Sequence, residues 1–277
     1  MRRIASAVAA LALAVSACGD SSAGGSLFVQ IASSPNSIGT GIQRVMLALI
    51  ELETGEFQAS PFLDANVTVR DENGAPIETL EADFLWLIPN VRGLYVIYPE
   101  FPEEGLYQLT VDVGTSELGP FGINVVADPM VIARGDVAPL SETRTLADHD
   151  VSEISSDPDP DLSFYELSIR DAVLSGPTVI VFATPKWCRT STCGPLLDQV
   201  KELSSAFPDL NFVHVEVYDD IQVASFDDLE AVPAVEEWGL PSEPWVFVVN
   251  ADGVVAASFE GAASGEELVS AFLSVSP

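Results

Sequence analysis

The chain has 277 residues and a hydrophobic content of 48%, which is enough for two domains that each bury a core. Its 42 acidic and 11 basic residues give a formal net charge of -31. That charge argues against nucleic-acid binding, which requires a basic surface, and against docking on anionic lipid through charge. This excess of acidic over basic residues is typical of a solvated, strongly acidic surface.

The N-terminus has the pattern of an export signal. Two arginines after the first methionine precede an apolar stretch over residues 4–15, shorter than the roughly 20 residues that cross a bilayer. The V-S-A-C sequence of residues 15–18 resembles the bacterial lipobox, in which the peptide is cleaved before the cysteine and the thiol is lipidated. The resemblance implies a signal peptide over residues 1–17, lipidation of Cys18 and a lipid anchor on the extracytoplasmic face of the cell membrane. The alternative is an ordinary secretory signal with an incidental cysteine.

The region after the signal is predicted to be a tether and an all-β domain. Residues 18–26 are rich in glycine and serine, which predicts a flexible tether. Within residues 27–133, residues 105–113 alternate in polarity and the Asn-Gly pair at residues 73–74 is typical of a hairpin turn. Short strands at this spacing predict an immunoglobulin-like β-sandwich. The region contains no cysteine or histidine, and we expect a spacer, a partner-binding module or a substrate-presenting module.

Residues 134–161 form an acidic, proline-bearing connector between the two predicted domains. The D-P-D-P-D sequence of residues 157–161 cannot bury much apolar surface, which predicts a draped or mobile segment. His149 lies between two aspartates, a pattern that allows a metal ligand but is more typical of an exposed linker histidine. We therefore assign no metal site to the chain.

The reactive side chains of the protein are concentrated in residues 179–195. An apolar run over residues 179–182 predicts a buried strand, and Cys188 and Cys193 follow it directly. The next segment predicts an amphipathic helix with apolar side chains at Leu196, Leu197, Val200, Leu203 and Phe207. The N-terminus of a helix carries a partial positive charge that favours a thiolate over a thiol. A strand that delivers two cysteines to this position is therefore arranged for reactive sulfur.

This stretch and the sequence after it resemble the thioredoxin superfamily. The matching features are Phe182, Trp187-Cys188, a strand over residues 212–217, Trp238-Gly239-Leu240, Glu243-Pro244, a strand at 245–249, Asp252-Gly253 and Gly261. The resemblance covers residues 162–277 and implies an α/β fold around a central sheet, without a cofactor. It also implies that Pro244 is the family's cis-proline, beside which extended substrate chains bind. The expected fold class is thus two-domain, an all-β immunoglobulin-like sandwich followed by a thioredoxin-like α/β domain.

The pattern also predicts the secondary structure around the cysteines. We expect strands over residues 211–218, 245–250 and 254–259, a short helix over 168–174 and a terminal helix over 265–274. Ser264 is a suitable N-cap for the terminal helix, because serine side chains accept hydrogen bonds from the first turn.

The cysteine pair departs from the family in its spacing, because four residues rather than two separate Cys188 from Cys193. A regular helix across both would separate their Cα atoms by about 7.5 Å, beyond the usual disulfide limit of about 6.8 Å. Pro195 favours a helix that starts after Cys188, since proline suits the first helical turn. Either cysteine would then lie near the positive end of the helix.

Cys188 is the predicted nucleophile and Cys193 the predicted resolving thiol. Lys186 and Arg189 flank Cys188, and nearby cations lower the pKa of a thiol. An alternative alignment places the family's Cys-Gly-Pro on Cys193 and the two residues after it, which would reverse the two roles. A static disulfide is the remaining alternative.

Other residues are predicted to bind substrate or to modulate the cysteines, namely Lys186, Trp187, Arg189, His214, Glu243 and Pro244. His214 shares a strand face with Glu216 and is either a proton shuttle or a partly buried structural histidine. The family's buried acid is not evident, because residues 179–182 carry no carboxylate, so His214 or Glu216 would have to replace it. Glu243 would put negative charge beside the cysteines and raise the pKa of a thiolate there.

Together these features predict a lipid-anchored, extracytoplasmic thiol–disulfide oxidoreductase. Its partners would be thiols or disulfides of exported proteins, together with a redox partner that the sequence does not identify. A non-catalytic scaffold with a fixed disulfide is the first alternative, because a fold alone does not establish an activity. A copper-handling chaperone is the second, since thiolates suit Cu(I), although His214 follows Cys193 too closely to match that family's distal histidine.

Overall fold

A computed structural model describes residues 26–277 of the chain. The signal peptide predicted over residues 1–17, the lipidated Cys18 and all but the last residue of the predicted tether lie outside the described residues. The described part forms a β-sandwich, a connector and an α/β unit. No helix within residues 26–277 is long and apolar enough to cross a membrane.

Ten strands form the N-terminal β-sandwich. They are β1 Leu27–Ile31, β2 Gly41–Ile42, β3 Val45–Glu51, β4 Ala65–Arg70, β5 Pro76–Glu81, β6 Asp83–Ile88, β7 Arg92–Ile97, β8 Glu100–Phe101, β9 Gly105–Val113 and β10 Ser116–Val125. One four-stranded antiparallel sheet has the order β1-β3-β7-β6 and the other the order β10-β9-β4-β5, while β2 pairs with β8. The predicted Asn-Gly turn at residues 73–74 lies between β4 and β5.

The sandwich core lies between the two sheets. The side chains of β9 that point into it are Tyr107, Leu109, Val111 and Val113, as the alternation of that segment predicts. The strand β3 is buried on both faces, because Leu47 belongs to this core while Met46 packs with Ala262 of the C-terminal unit. The outer face of the sheet that contains β3 therefore contacts the α/β unit.

The C-terminal unit has three layers, with helices on both faces of a four-stranded sheet. Its strands are β11 Thr178–Ala183, β12 Asn211–Glu216, β13 Trp245–Val249 and β14 Val255–Glu260. The helices are α1 Val151–Ile154 in the connector, then α2 Ile169–Ser175, α3 Cys193–Ser204, α4 Pro233–Glu237 and α5 Gly265–Val275. The strand order is β12-β11-β13-β14, and only the β11–β12 pair is parallel. The helices α3 and α5 cover one face of the sheet, and α2 and α4 cover the other.

The acidic connector is ordered and packs on the α/β unit. Its backbone joins the sheet through the N–H of Gly135, which donates to the carbonyl of Val255 (2.9 Å). Ile154 of α1 is 5% exposed and belongs to the core beneath α3 and α5. Lys201 of α3 donates to Asp157 (2.7 Å), whose charge it neutralises. The connector is thus draped over the α/β unit. A few apolar residues and one lysine of the unit hold it there, and the composition of the connector does not predict these contacts.

A mostly buried ion pair holds the sandwich against the α/β unit. Arg44, just before β3, donates to Glu267 of α5 (2.6 Å) and to the carbonyl of Ala262 (2.8 Å). Burial opposes the ionisation of Glu267, but Arg44 outweighs it and leaves the pKa of that carboxyl below its usual value. Glu267 also completes the capping box of α5 with Ser264, so the same carboxylate caps the helix and binds the sandwich.

Candidate functional site

The two cysteines lie in a loop that leaves the central strand of the α/β sheet. β11 is buried along its whole length, with Val181 and Ala183 facing α3 and α5 and Phe182 facing α2 and α4. After β11 the chain turns, and the N–H of Trp187 donates to the carbonyl of Thr184 (3.2 Å). The loop ends where α3 begins, at Cys193.

Cys188 and Cys193 are joined by a disulfide, with Cα atoms 6.0 Å apart. This separation is within the usual range because the residues between them are not helical. Pro195 occupies the third position of α3, in the first turn, where its missing N–H has no helical partner to lose. The late start of the helix, predicted from Pro195, is what allows a C-x4-C pair to close.

The two sulfurs differ in accessibility and in their surroundings. Cys193 is 0% exposed and belongs to the core under α3, whereas Cys188 is half-buried at the surface. The backbone N–H of Cys193 donates to Sγ of Cys188 (3.3 Å), and the Thr190 hydroxyl lies 3.3 Å from the same sulfur. The first N–H groups of a helix carry a partial positive charge, so this contact stabilises a thiolate on Cys188 once the disulfide opens.

The two cations that flank Cys188 in sequence are engaged with the neighbouring loop. Lys186 donates through Nζ to the carbonyl of Ile221 (2.8 Å) and lies 4.7 Å from the centre of the Trp187 ring. The indole N–H of Trp187 donates to the same carbonyl (3.2 Å). Arg189 stacks over Phe226, with 4.0 Å between the guanidinium carbon and the ring centre. The cations and Trp187 therefore link the cysteine loop to residues 221–226.

Glu243 and Pro244 lie before β13, in a segment that is held by the sandwich. The peptide bond between them is cis. Burial raises the pKa of the Glu243 carboxyl, and the charge of Arg189, which stacks on Phe226, partly offsets this. The preceding residue, Ser242, donates to Glu260 (2.9 Å), which also accepts from the backbone N–H of Ser34 in the sandwich (3.0 Å).

His214 is buried in the α/β core, with 3% of its surface exposed. Its Nε2 lies 3.1 Å from the carbonyl of Ala183 and must donate to it, so Nδ1 accepts from the Tyr165 hydroxyl (2.7 Å). Burial lowers the pKa of His214 to about 4, which keeps the ring neutral. Both ring nitrogens thus serve structural hydrogen bonds, and neither is free to shuttle a proton to the cysteines.

Glu216 is a buried carboxyl close to the cysteine loop. It is 5% exposed, and burial raises its pKa above the usual value. Ser156 of the connector donates to Oε2 through its N–H (2.9 Å) and its hydroxyl (2.6 Å), and that hydroxyl also accepts from the N–H of Lys186 (3.2 Å). The nearby Thr184 hydroxyl acts to lower the pKa of the Glu216 carboxyl, although it does not reach hydrogen-bond geometry. The second oxygen, Oε1 of Glu216, therefore has no hydrogen-bond partner among residues 26–277.

Comparisons with known proteins find structural similarity over about a third of this chain. No protein-family model matches it, and no similar sequence is found among curated proteins. The filamin domain of Lin-41 is a similar solved structure, with 14% identity and a TM-score of 0.25, covering 36% of this chain and 93% of that domain. A second is the CARDB domain of a Pyrococcus furiosus protein in complex with di-metal ions, with 18% identity, a TM-score of 0.22 and coverages of 36% and 88%. The pairing of its strands into two antiparallel sheets defines the N-terminal unit as a β-sandwich.

The part of the chain from residue 26 onwards contains no group of three or more His, Cys, Asp or Glu side chains arranged to hold a metal ion. The histidine predicted as a linker residue, His149, is half-buried in the connector.

The low pKa of His214 predicts that stability falls in acid. Between pH 6.5 and about 4 the unfolded chain binds a proton at this site while the folded chain does not, so the free energy of unfolding rises with pH there. The contribution is about 3 kcal/mol at most, present above pH 6.5 and lost as pH falls towards 4. Glu216 acts in the opposite sense, because its raised pKa lets the folded chain keep a proton that the unfolded chain loses.

Urea unfolding at several pH values between 4.5 and 7.5, for wild type and His214→Gln, separates the two effects. The free energy of unfolding of the wild type minus that of the variant should increase with pH, because only the wild type carries His214. The contribution of Glu216 is present in both proteins and cancels in this difference. His149→Gln removes the only other histidine of the chain and is the matched control. If the free energy of unfolding changed with pH in the same way for wild type and His214→Gln, the low pKa of His214 would be contradicted.

Sequence reasoning missed several residues of the site. Ser156, Tyr165 and Phe226 contact Glu216, His214 and Arg189 from segments distant in the chain. The carbonyl of Ile221, which accepts from two residues of the cysteine loop, is a backbone group that leaves no trace in the sequence. The only sequence feature that pointed to Ser156 was the pair of serines before the D-P-D-P-D stretch. Serines are also common in ordinary turns, so this pair does not by itself predict a contact with Glu216.

Proposed function

We propose that the protein is a thiol–disulfide oxidoreductase with a thioredoxin-like C-terminal domain and an immunoglobulin-like N-terminal sandwich. The observation that carries the proposal is the asymmetry of the cysteine pair. The half-buried Cys188 sulfur accepts a hydrogen bond from the first N–H of α3, and the Cys193 sulfur is buried behind it. Exchange needs one accessible thiolate and one resolving thiol within reach, and this pair supplies both.

The reaction follows from these positions. In the reduced protein, the Cys188 thiolate attacks one sulfur of a substrate disulfide, forming a Cys188–substrate bond and releasing the other substrate sulfur as a thiolate that takes up a proton. Cys193 then loses its proton and attacks Sγ of Cys188, which restores the protein disulfide and releases the second substrate sulfur. Two electrons pass from the protein dithiol to the substrate disulfide, and the reverse sequence oxidises a substrate dithiol.

We propose Glu216 as the group that exchanges the proton of the buried thiol. It lies on the same face of the sheet as Cys193, its pKa is raised by burial, and one of its oxygens lacks a partner among the described residues. It would take the place of the buried acid that is missing from β11.

The proposed setting is the extracytoplasmic face of a cell membrane. The lipobox-like sequence at residues 15–18 supports lipidation of Cys18 and a lipid anchor. The substrates would then be exported proteins with thiols or disulfides, in a compartment where disulfides persist.

The reduction potential of the Cys188–Cys193 pair tests the proposal. The full chain is equilibrated in glutathione and dithiothreitol buffers of known potential, and free thiols are counted by mass after alkylation. We expect a potential between about -270 and -120 mV, the range of proteins that exchange disulfides. A value below about -300 mV would identify a resistant structural bridge and support the scaffold instead.

A further inference from the structure

A groove runs between the sandwich and the start of α3, beside the cysteine loop. Its volume is about 620 Å³, within the usual range of binding clefts. One wall is formed by residues 84–87 of β6 with Pro89, and the other by Thr192 and Pro195 at the start of α3. Thr192 directly precedes Cys193 and lies 2.7 Å from the Thr190 hydroxyl, which in turn contacts the Cys188 sulfur. Thr190 thus connects the groove residue Thr192 to the Cys188 sulfur, one residue before the helix that carries Cys193.

The wall formed by β6 is the open edge of a sheet. β6 is the last strand in the order β1-β3-β7-β6, and among residues 26–277 it pairs with β7 alone. Successive side chains of a strand point to opposite faces, so a wall made by consecutive residues 84–87 exposes the strand edge and its backbone groups. Such an edge can accept an extended chain as a further strand, in which backbone hydrogen bonds supply affinity.

The side chains of the groove select the kind of chain that fits. Trp86 is 38% exposed, and Pro89 and Pro195 are also exposed, which offers apolar surface to a partner. Asp198 and Glu202 line the α3 side, and none of the residues of the described chain, 26–277, that line the groove is basic. Lys201 of the same helix pairs with Asp157 and Asp198, which leaves Glu202 as the groove carboxylate without an ion pair among residues 26–277. Apolar and cationic side chains are therefore complementary to this surface.

We propose that β6 binds an extended, cysteine-bearing segment of an exported polypeptide with basic and apolar residues, and presents its sulfur to Cys188. The proposal rests on the function proposed above and makes the sandwich a substrate-binding part of the enzyme. It accounts for the tight attachment of the sandwich by Arg44 and Glu267, since a substrate that touches both units needs them held together.

Exchange kinetics with matched probes test the proposal. The reduced full chain is mixed with a nine-residue peptide whose central cysteine carries thionitrobenzoate and is flanked by leucine, valine and lysine. A second peptide has glutamate in place of lysine, and the mixed disulfide of thionitrobenzoate with mercaptoethanol is the small probe. Attack by the Cys188 thiolate on the peptide sulfur forms a Cys188–peptide disulfide and releases the coloured thionitrobenzoate anion.

We expect the lysine peptide to react about tenfold faster than the glutamate peptide after the rate of each peptide is divided by its own rate with free mercaptoethanol. Trp86→Ala should slow the lysine peptide about tenfold and leave the small probe within about twofold, because only the peptide reaches the groove. Glu202→Lys should abolish or reverse the preference between the peptides. Phe62→Ala and Glu104→Lys remove an exposed aromatic and reverse an exposed charge away from the groove, and both should behave as wild type.

Two failures are distinguishable in this design. If Trp86→Ala and Glu202→Lys match their controls with both peptides while the small probe reacts normally, the groove proposal is overturned and the proposed function stands. If the small probe does not react with wild type, the proposed function is overturned. Amide hydrogen exchange then tests binding in the groove independently of the chemistry. A version of the lysine peptide with serine in place of cysteine should slow exchange of the backbone amides of β6. Unchanged exchange in β6 would refute binding at that edge.

Discussion

Replacing Cys188 by serine is expected to lower the rate of disulfide exchange at least about a thousandfold, because the remaining cysteine of the pair, Cys193, is 0% exposed. Replacing Cys193 by serine should leave the first attack intact and remove its resolution, so that a mixed disulfide on Cys188 accumulates. Reduction of a small disulfide is followed by thiol release, and the trapped adduct is identified by mass.

The two variants control for each other. Each removes the same disulfide, and the chain-entropy cost of losing a crosslink over so short a loop is about 2 kcal/mol in both cases. A difference in exchange between them therefore reflects the roles of the sulfurs and not stability. Trapping of substrate on Cys193 in the Cys188→Ser variant would assign the attack to Cys193 and support the alternative alignment of the Cys-Gly-Pro sequence.

Gly239→Ala is expected to destabilise the protein by about 4 kcal/mol, a cost at the upper end for a single methyl group. Gly239 ends α4 in a left-handed conformation (φ 65°), where alanine costs about 1 kcal/mol. A methyl group there would overlap the backbone carbonyl oxygen of Met130, so the backbone of one segment must move. The N–H of Ile132 donates to the carbonyl of Trp238 (3.3 Å), and Trp238 is 0% exposed, so little movement is available.

Gly55→Ala is the matched control for this prediction. Gly55 also has a left-handed conformation (φ 73°), but nothing lies within 4 Å of an added methyl group. Both variants therefore pay the same cost for placing alanine in a left-handed conformation. The difference between their losses of unfolding free energy isolates the effect of the contact with Met130. Equilibrium unfolding in urea gives both free energies, and equal losses would show that the segment at Met130 adjusts without cost.

Several elements of the α/β unit are predictable from local pattern. The short helix expected over residues 168–174 occurs as Ile169–Ser175, and the terminal helix expected over 265–274 occurs as Gly265–Val275 with Ser264 as N-cap. These boundaries are predictable because capping side chains and apolar periodicity act within a few residues. The start of α3 follows from the same kind of signal, since Pro195 suits its first turn.

The connector shows where local pattern stops being informative. Its acidic, proline-bearing composition is equally consistent with a mobile linker, and its order comes from contacts with distant partners such as Lys201 and Val255. Lys201 neutralises Asp157, so this carboxylate can be buried against α3, and Ile154 adds an apolar contact with the same core.

By itself, the sequence determined that two cysteines follow a buried strand and precede a helix, that the helix starts late, and that a strand-rich region precedes this unit. Each of these features depends on neighbours in the chain. The tertiary structure alone decided that Cys193 is enclosed while Cys188 reaches the surface, that His214 is neutral and Glu216 buried, and that the edge strand β6 shares a groove with the start of α3. Exposure and pKa depend on which distant segments exclude water from a group, and no local pattern in a single chain contains that information.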